Sequence, residues 1–288
     1  MTRMQSLWEN DKTTARGFKL STIRRSLQMS RIDKYPEGMF NWVDLGTSDA
    51  PRAKQFYSSL LGWSMVDYPM NDNAVYTLCQ KNGLDVAAIF QLEADAGMSP
   101  RWNSYISVAH VDEMTEQARQ HGARIIKEPF DVFNVGRMAI IQDPTLAIVY
   151  LWQPKEHQGA KIVNEPGAFC WNELLTSDTQ KAGDFYTQVM GWEKKESEFG
   201  PMTYTSFSMG EHPNGGMLSL APGGEAAHSY WLVYFAIADC DQSTEKAKSL
   251  GATLISGPQD RPDVGRFSIM QDPQGAVFAL IALANLKS

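Results

Sequence analysis

The stretch that decides the fold is FNWVDLGTSDAPRAKQFYSSLLGW, which spans Phe40 to Trp63. A second version, FCWNELLTSDTQKAGDFYTQVMGW, spans Phe169 to Trp192. The paired positions keep one offset, 171 − 42 = 129, and they are Trp42/Trp171, Asp44/Glu173, Asp49/Asp178, Phe56-Tyr57/Phe185-Tyr186 and Gly62-Trp63/Gly191-Trp192. Self-similarity at a fixed offset indicates a repeated structural unit. The chain therefore carries two copies of one design.

Each copy predicts a strand, a helix and then three strands. The alternating run Phe40–Thr47 is typical of a strand. Asp49 is a good N-cap for the helix that follows, and Gly62 ends that helix because glycine tolerates the left-handed conformation. The three further strands are predicted at Trp63–Tyr68, Val75–Gln80 and Val86–Leu92.

The same order of elements begins again at Trp102. A strand at Trp102–His110 is followed by a helix that Asp112 caps and Gly122 ends. Three strands follow at Ala123–Lys127, Gly136–Gln142 and Ala147–Trp152. The second half repeats this unit in Trp102/Trp231, Tyr105/Tyr234, Gly136-Arg137/Gly265-Arg266 and Asp143-Pro144/Asp272-Pro273. The sequence thus predicts an α+β fold of four βαβββ units.

One turn is expected to differ between the copies. After the Asp-Pro pair, the first copy has Leu146 where the second has Gly275. Leucine is disfavoured where the backbone needs a positive φ. We therefore expect a different turn conformation at Leu146.

Composition and charge narrow the class of protein. The 288 residues are enough for two domains of ordinary size, and 43% hydrophobic with 20% charged residues is ordinary for a globular protein. The net charge of −7 argues against a nucleic-acid surface, which needs a basic face. Three cysteines without CxxC spacing disfavour a disulfide framework, and no apolar run reaches membrane-span length. We expect a cytoplasmic protein with no nucleic-acid or membrane partner.

The repeats also set the domain boundaries. We assign the first domain to residues 36–155 and the second to residues 165–286, with a polar linker between them. Residues 1–35 match nothing later in the chain and are rich in Lys and Arg. We interpret them as a poorly ordered extension. The alternative is a targeting segment, against which Glu9 and Asp11 count.

The repeated motifs resemble a known superfamily. The run xWx[DE]LxTxDxxxAxxFYxxxxGW, followed later by VGRxxxxQDP, is similar to the vicinal-oxygen-chelate superfamily of glyoxalase I, bleomycin-resistance proteins and extradiol dioxygenases. The duplication over about residues 36–286 resembles the tandem two-domain glyoxalase-like proteins. The resemblance implies that two βαβββ units pair into an eight-stranded, incompletely closed barrel, or cup, that holds metal and substrate.

The resemblance also implies where the metal ligands of each cup would lie. Those positions hold Trp42, Asn103 and Tyr150 in the first domain and Trp171, Leu232 and Ala279 in the second. None of these side chains suits a divalent metal in a nitrogen and carboxylate site. The five histidines share no metal spacing, and His157 falls in the linker. We therefore predict no metal and no other cofactor, with a divalent metal as the main alternative.

Strand alternation predicts which side chains face the cups. If Val43 and Leu45 pack under the helix, their strand neighbours face the cup. The first cup then holds Trp42, Asp44, Asn103, Tyr105, Tyr150 and Trp152, and the second holds Trp171, Glu173, Leu232, Tyr234, Ala279 and Ile281. Aromatic walls with a few polar groups are typical of a small-molecule site. Because the first cup keeps more polar groups, we expect it to be the functional one and the second to be apolar or mainly structural.

Asp44 and Glu173 are candidate catalytic acids or bases, because burial beside a tryptophan raises the pKa of a carboxyl group. The alternative is a structural carboxylate that pairs with Arg137 or Arg266, or with a backbone donor. The two arginines are in turn candidates to bind an anionic ligand. For them the alternative is a surface or inter-domain ion pair.

Two tyrosines and several aromatic residues complete the predicted site. Tyr105 and Tyr234 are catalytic candidates that would hydrogen-bond a ligand oxygen, and the alternative is core packing with the hydroxyl at the rim. Trp42 and Trp171 are candidate stacking surfaces for a planar ligand, and the alternative is core filling. The remaining predicted ligand-binding residues are Asn103, Tyr150 and Trp152.

Two functions from different classes follow. The first is a lyase, isomerase or hydroxylase-type enzyme that acts on a small aromatic or oxygenated molecule. The second is a binding or sequestration protein of the bleomycin-resistance kind that performs no chemistry. Because duplication places two modules in one chain, we expect a monomer or a weak homodimer.

Overall fold

A computed structural model of the chain describes residues 30–72, 74–93, 97–199, 202–220 and 228–284. Residues 1–29, most of the predicted extension, lie outside the described residues. The described end of the extension forms a short strand, β1 (Ser30–Arg31), and is held at Tyr35, whose hydroxyl donates to Ala160 O at 2.7 Å. The rest of the described chain builds two eight-stranded sheets, which confirms the predicted α+β fold.

The first sheet comes from the first predicted pair of βαβββ units. Its elements are β2 (Phe40–Thr47), α1 (Ala50–Leu61), β3 (Ser64–Pro69), β4 (Val75–Lys81), β5 (Leu84–Gln91), β6 (Arg101–Ser107), α2 (Val111–Gln120), β7 (Arg124–Val132), β8 (Gly136–Gln142) and β9 (Ile148–Pro154). The strand order is β3–β4–β5–β2–β6–β9–β8–β7. The first strands of the two units, β2 and β6, meet antiparallel at the centre, and each lies parallel to the last strand of its own unit.

The second sheet repeats this arrangement. After β10 (Ile162–Val163), which pairs with β1, its elements are β11 (Phe169–Thr176), α3 (Thr179–Met190), β12 (Glu193–Phe199), β13 (Met202–Met209), β14 (His212–Ser219), β15 (Tyr230–Ala236), α4 (Cys240–Ser249), β16 (Thr253–Arg261), β17 (Gly265–Gln271) and β18 (Val277–Leu283). The order is β12–β13–β14–β11–β15–β18–β17–β16. Both sheets remain open over their described strands, as the incompletely closed cup predicts.

The helix ends follow the predicted caps in the first helix of each domain. Asp49 and Asp178 accept a backbone N–H from the first turns of α1 and α3, and Gly62 and Gly191 end them with φ of 74° and 69°. The predicted cap at Asp112 is wrong. Helix α2 begins after His110 without a side-chain cap, and Asp112 lies in its first turn.

The helix of the fourth unit, α4, has a side-chain cap at its first turn. Asp239 caps α4 by accepting the N–H of Gln242. No helix within the described ranges combines the length and apolar character that crossing a bilayer would require.

The edge strands extend further than the sequence predicts. Strand β7 was expected to end at Lys127 but reaches Val132, with register shifts on either side of Lys127. These irregularities accommodate Pro129, which cannot donate to the ladder and is tolerated at an edge. The equivalent extension in the second sheet carries β16 to Arg261.

The turn after the Asp-Pro pair is alike in both domains, so the expectation of a different turn at Leu146 is wrong. Leu146 adopts φ +81° and Gly275 adopts φ +106°. Leucine in the left-handed region costs roughly 1–2 kcal/mol. The turn is imposed by Asp143, whose Oδ1 accepts the N–H groups of Thr145 and Ala147.

The aspartate of each Asp-Pro pair also binds the other domain. In the first inter-domain clasp, Trp102 Nε1 donates to Tyr57 Oη at 3.0 Å, and Tyr57 Oη donates to Asp272 Oδ2 at 2.9 Å. The second clasp joins Trp231, Tyr186 and Asp143 in the same way, at 2.9 and 3.0 Å. All six groups are buried in the described chain. The Phe-Tyr and Asp-Pro repeat motifs therefore hold the two domains together.

Candidate functional site

One face of the first sheet carries the side chains that strand alternation predicts for the first cup. They are Trp42, Asp44, Asn103, Tyr105, Tyr150 and Trp152, and each is at most 7% exposed. Cross-strand register pairs Asp44 with Asn103 on β2 and β6, and Tyr105 with Tyr150 on β6 and β9. The structure thus brings all six together, and their functional roles remain predictions.

Asp44 lies at the centre of this network and accepts three hydrogen bonds from side chains. Tyr105 Oη donates to Oδ2 at 2.6 Å, and Asn103 Nδ2 donates to Oδ1 at 2.8 Å. Tyr76 Oη donates to Oδ2 at 3.0 Å. Burial nevertheless raises the pKa of Asp44 to about 6, because lost hydration outweighs these donors and the charge of Arg101. The carboxyl can therefore change its protonation state near neutral pH.

Tyr76 is a site residue that the sequence reasoning misses. Its hydroxyl donates to Asp44 and accepts a hydrogen bond from Trp42 Nε1 at 2.9 Å. Its counterpart is Tyr204, at an offset of 204 − 76 = 128, because one more residue precedes β4 than β13. A search at the fixed offset of 129 pairs Tyr76 with Thr205 instead. Strands β4 and β13 both carry the dipeptide Tyr-Thr, at Tyr76 and at Tyr204, and this shared dipeptide could have identified Tyr76.

The linker closes one side of the first cup, which the sequence does not predict. Trp152 Nε1 donates to His157 O at 2.9 Å, and the His157 ring lies edge-on to Trp42 with centroids 4.4 Å apart. Lost hydration lowers the pKa of His157 to about 4, so the imidazole is neutral at pH 7. Its Nε2 is buried and finds no hydrogen-bond partner among the described residues. His157 therefore belongs to the wall of the first cup.

The second cup repeats the arrangement of a carboxyl group among tyrosines. Tyr234 Oη donates to Glu173 Oε1 at 2.9 Å, and Trp171 Nε1 donates to Tyr204 Oη at 3.1 Å. Burial raises the pKa of Glu173, although Tyr234, the charge of Arg261 and Tyr204 oppose the rise. The two cups thus share an arrangement in which one tryptophan and two tyrosines surround a buried acid.

A paired exchange keeps the two networks alike. Asp44 lies opposite Ala88 on β5, whereas Glu173 lies opposite Gly216 on β14. Glutamate is one methylene longer than aspartate, and glycine is one methyl group smaller than alanine. A Cβ on Gly216 would lie only 1.9 Å from Tyr204 Oη, so this hydroxyl occupies the space that the glycine leaves.

The expectation that the second cup is apolar is wrong, whereas a mainly structural role stays a prediction. The Arg261 guanidinium lies over the Tyr204 ring, 5.0 Å from its centroid. Burial, and then the charge of Glu173, raises the pKa of Tyr230 to about 12. The second cup therefore contains an arginine, a carboxyl group and three tyrosines.

Two arginines predicted to bind ligand lie away from both cups. Met138 and Phe267 lie opposite the cup residues Trp152 and Ile281. The arginine that precedes each of them therefore points to the other face of its sheet. Arg137 Nε and Nη2 donate to Asp112 at 2.8 Å, and Arg266 donates to Asp241 at 2.8 and 2.9 Å. These are the surface ion pairs of the alternative interpretation. The cup acids draw their side-chain donors from tyrosine and asparagine instead.

The residues at the family's metal-ligand positions do not fit a metal site. In the first cup, Trp42 Nε1 and Asn103 Nδ2 are donors already directed at protein oxygens. Within the described ranges, no three His, Cys, Asp or Glu side chains are grouped so that they could hold a metal ion. A nitrogen and carboxylate site of the usual kind therefore cannot form from these side chains.

The paired βαβββ units and the two carboxyl-centred cups define a tandem fold of two open, eight-stranded domains. Residues 39–145 and 168–280 match the Glyoxalase/Bleomycin resistance protein/Dioxygenase superfamily. The chain belongs to this superfamily, as the repeated motifs predict.

Two relatives align with this chain over nearly their whole length. The chain is 40% identical over 257 residues to "Putative glyoxylase CFP32" of Mycobacterium bovis, covering 88% of this chain and 98% of the relative. It is 30% identical over 265 residues to the anthracycline biosynthesis protein DnrV of Streptomyces peucetius, covering 88% and 96%. Both alignments therefore extend across the two domains of this chain.

Solved structures share the fold at low sequence identity. The Mn(II)-bound glyoxalase from Novosphingobium aromaticivorans has a TM-score of 0.61 at 15% identity, covering 85% of this chain and 82% of that one. The 2,3-dioxygenase LapB from Pseudomonas sp. KL28 has a TM-score of 0.58 at 14% identity, covering 85% and 91%. At these identities the likeness concerns the fold alone.

Proposed function

We propose that this protein binds a small aromatic or oxygenated molecule in its cups and acts on it as a lyase, isomerase or hydroxylase-type enzyme. The supporting observation is the enclosed acid at the centre of each cup, with the pKa of Asp44 raised to about 6. An acid whose pKa lies near the working pH can accept a proton and return it within one reaction cycle.

The roles follow from the hydrogen bonds. Asp44 is the proposed general acid or base, and Tyr105, held at 2.6 Å, is the group that would orient a ligand oxygen. The tyrosine hydroxyl keeps acceptor capacity while it donates to the carboxylate. Glu173 and Tyr234 take the same roles in the second cup. The aromatic walls supply apolar contact area for the ligand.

A binding protein without chemistry is the second candidate, and the hydrogen bonding of Asp44 favours it. Three side-chain donors already occupy the carboxylate. Proton transfer with a ligand is limited to the acceptor position that remains on Oδ1, beside the Asn103 amide. In a pure binding protein, the same network would serve only to fix the shape of the cup.

The two candidates differ in what happens to a bound compound. A thermal-shift screen of small aromatic and dicarbonyl compounds identifies ligands, and mass spectrometry shows whether each is recovered unchanged. An enzyme predicts conversion that falls roughly 10²-fold or more in Asp44→Asn or Glu173→Gln, with binding retained. Full recovery of every stabilising compound would favour the binding protein. Turnover that survives both substitutions would remove the two acids from their proposed roles.

We also propose that the protein works without a divalent metal, as a monomer or weak homodimer in a reducing cytoplasm. The three cysteines, all buried thiols, are compatible with that compartment. Elemental analysis of protein purified without added metal tests the first point. A stoichiometric divalent ion would overturn it. Light scattering across a concentration series tests the oligomeric state.

A further inference from the structure

We infer that the second cup is the accessible ligand site and that Arg261 selects molecules carrying an acidic oxygen beside an aromatic or apolar body. This inference rests on the proposed small-molecule function, and it goes further by choosing one cup and one ligand charge. It reverses the expectation that the first cup is the functional one.

Register directs Arg261 into the second cup. Arg261 on β16 lies opposite Gly265 on β17. Phe267 follows Gly265 by two residues on β17. Since residues two apart share a face of a strand, Arg261 lies on the face of Phe267, whose ring is 6.1 Å from that of Tyr234. The guanidinium then extends over Tyr204, 5.0 Å from the ring centroid. It thus reaches the tyrosines that surround the buried acid.

The first cup carries its arginine at a different place, on β6, where Arg101 Nε donates to Asn103 Oδ1 at 3.1 Å. Trp152 covers the glycine of β8 so closely that a Cβ on Gly136 would lie 2.2 Å from its ring. In the second cup the position of Trp152 is taken by Ile281, and the position of Val132 is taken by Arg261. The first cup thus combines the large ring of Trp152 with the small Val132, and the second combines the smaller Ile281 with the long Arg261. At the position of Arg261 the second cup therefore presents a charge, whereas aliphatic and aromatic side chains fill that position in the first.

Solvent reaches the second cup more readily than the first. Trp171 is half-buried, whereas Trp42 is 2% exposed. Tyr204 and Tyr230 are half-buried like their counterparts Tyr76 and Arg101, so the difference between the cups lies at the tryptophan. In the first cup, the ring of His157 lies against Trp42 from the linker. A ligand can therefore enter the second cup with less displacement of protein side chains.

The charges of the second cup favour an acidic ligand. A guanidinium offers five donors in a rigid plane, and two of them match the two oxygens of a carboxylate. Burial raises the pKa of Glu173, which favours the neutral carboxyl and reduces its repulsion of an anion. Trp171 and the tyrosines supply the apolar and aromatic contacts. An aromatic acid is the simplest molecule that uses all of these groups.

Benzoate and benzamide are matched probes, because they have nearly the same shape and differ in charge. By calorimetry, we expect the wild type to bind benzoate more tightly than benzamide. Arg261→Val, which introduces the first-domain residue, should weaken benzoate binding roughly 10- to 100-fold and leave benzamide binding unchanged. Arg266→Gln is the control, because Arg266 lies on the outer face of β17 and pairs with Asp241. Melting curves establish that each variant is folded.

Indole resonances locate the bound probe. The Nε1–H signal of Trp171, assigned with Trp171→Phe, should shift on addition of benzoate, and the signal of Trp42 should not. Equal binding of the two probes, benzoate affinity that survives Arg261→Val, or a response at Trp42 in place of Trp171 would overturn the inference and leave the small-molecule function standing. The inference also fails if a neutral screened compound binds and benzoate does not. If no probe and no screened compound binds, the proposed function fails with it.

Discussion

The substitution Asp44→Asn measures how the buried carboxyl group of the first cup changes the free energy of unfolding with pH. The pKa of Asp44 rises from 3.8 to about 6 on folding, so the folded protein binds a proton more tightly than the unfolded chain between these values. Folding therefore becomes less favourable as the pH rises through this window. At about 1.4 kcal/mol per pKa unit, the rise corresponds to about 3 kcal/mol. This destabilisation is fully present above about pH 6 and is relieved as the pH falls towards about 4.

Urea unfolding of the wild type and of Asp44→Asn across about pH 4 to 8 isolates this contribution, because asparagine does not titrate. The difference in free energy of unfolding should change by about 3 kcal/mol, with the wild type gaining relative stability towards acid pH. Asp67→Asn is a control that should stay nearly flat over this range, because Thr77 and Lys54 lower the pKa of Asp67 below its ordinary 3.8 and its contribution therefore changes only below about pH 4. A difference that stays flat, or that slopes the other way, would refute the reasoning for Asp44.

Two further sets of variants test the packing around the cups. Tyr57→Phe should lower the free energy of unfolding by roughly 2–4 kcal/mol, because a buried carboxylate and a buried indole lose the hydroxyl they share. Tyr186→Phe should match it, and Tyr68→Phe, at a side chain 50% exposed, should have no effect in the same urea titration. Gly216→Ala should destabilise the second cup by at least about 1 kcal/mol through overpacking, and adding Glu173→Asp should restore most of the loss. Additive losses in that double variant would contradict the paired exchange.

Much of the fold is predictable because its determinants are local. The repeat offset identifies the two domains, and the aspartate and glycine caps identify the ends of α1 and α3. The period of a strand is a geometric property, so alternation alone places Trp42, Asp44 and Tyr105 on one face. The family's metal-ligand positions could also be read directly, because each lies at a fixed spacing from a repeat motif.

The residues that sequence reasoning misses depend on features without a local pattern. Tyr76 is hidden because a single extra residue changes the repeat offset before its strand. His157 lies in a linker, where no periodicity indicates which way a side chain points. Arg261 has no counterpart in the first domain and lies in an edge-strand extension beyond a proline. The partner of Tyr57 is 215 positions away, beyond the reach of any pattern in a short window.

Because of that separation, the partners of the two inter-domain clasps are synthesised at different times. Tyr57 is made 215 residues before Asp272, which at roughly 5–20 residues per second is a wait of about 10 to 40 s on the ribosome. Throughout it, the Tyr57 hydroxyl lacks its carboxylate partner. In the other clasp the carboxylate comes first, and Tyr186 follows Asp143 after only 43 residues. Two clasps with the same geometry therefore have their partners available in a set order, and the one between Tyr57 and Asp272 can close only last.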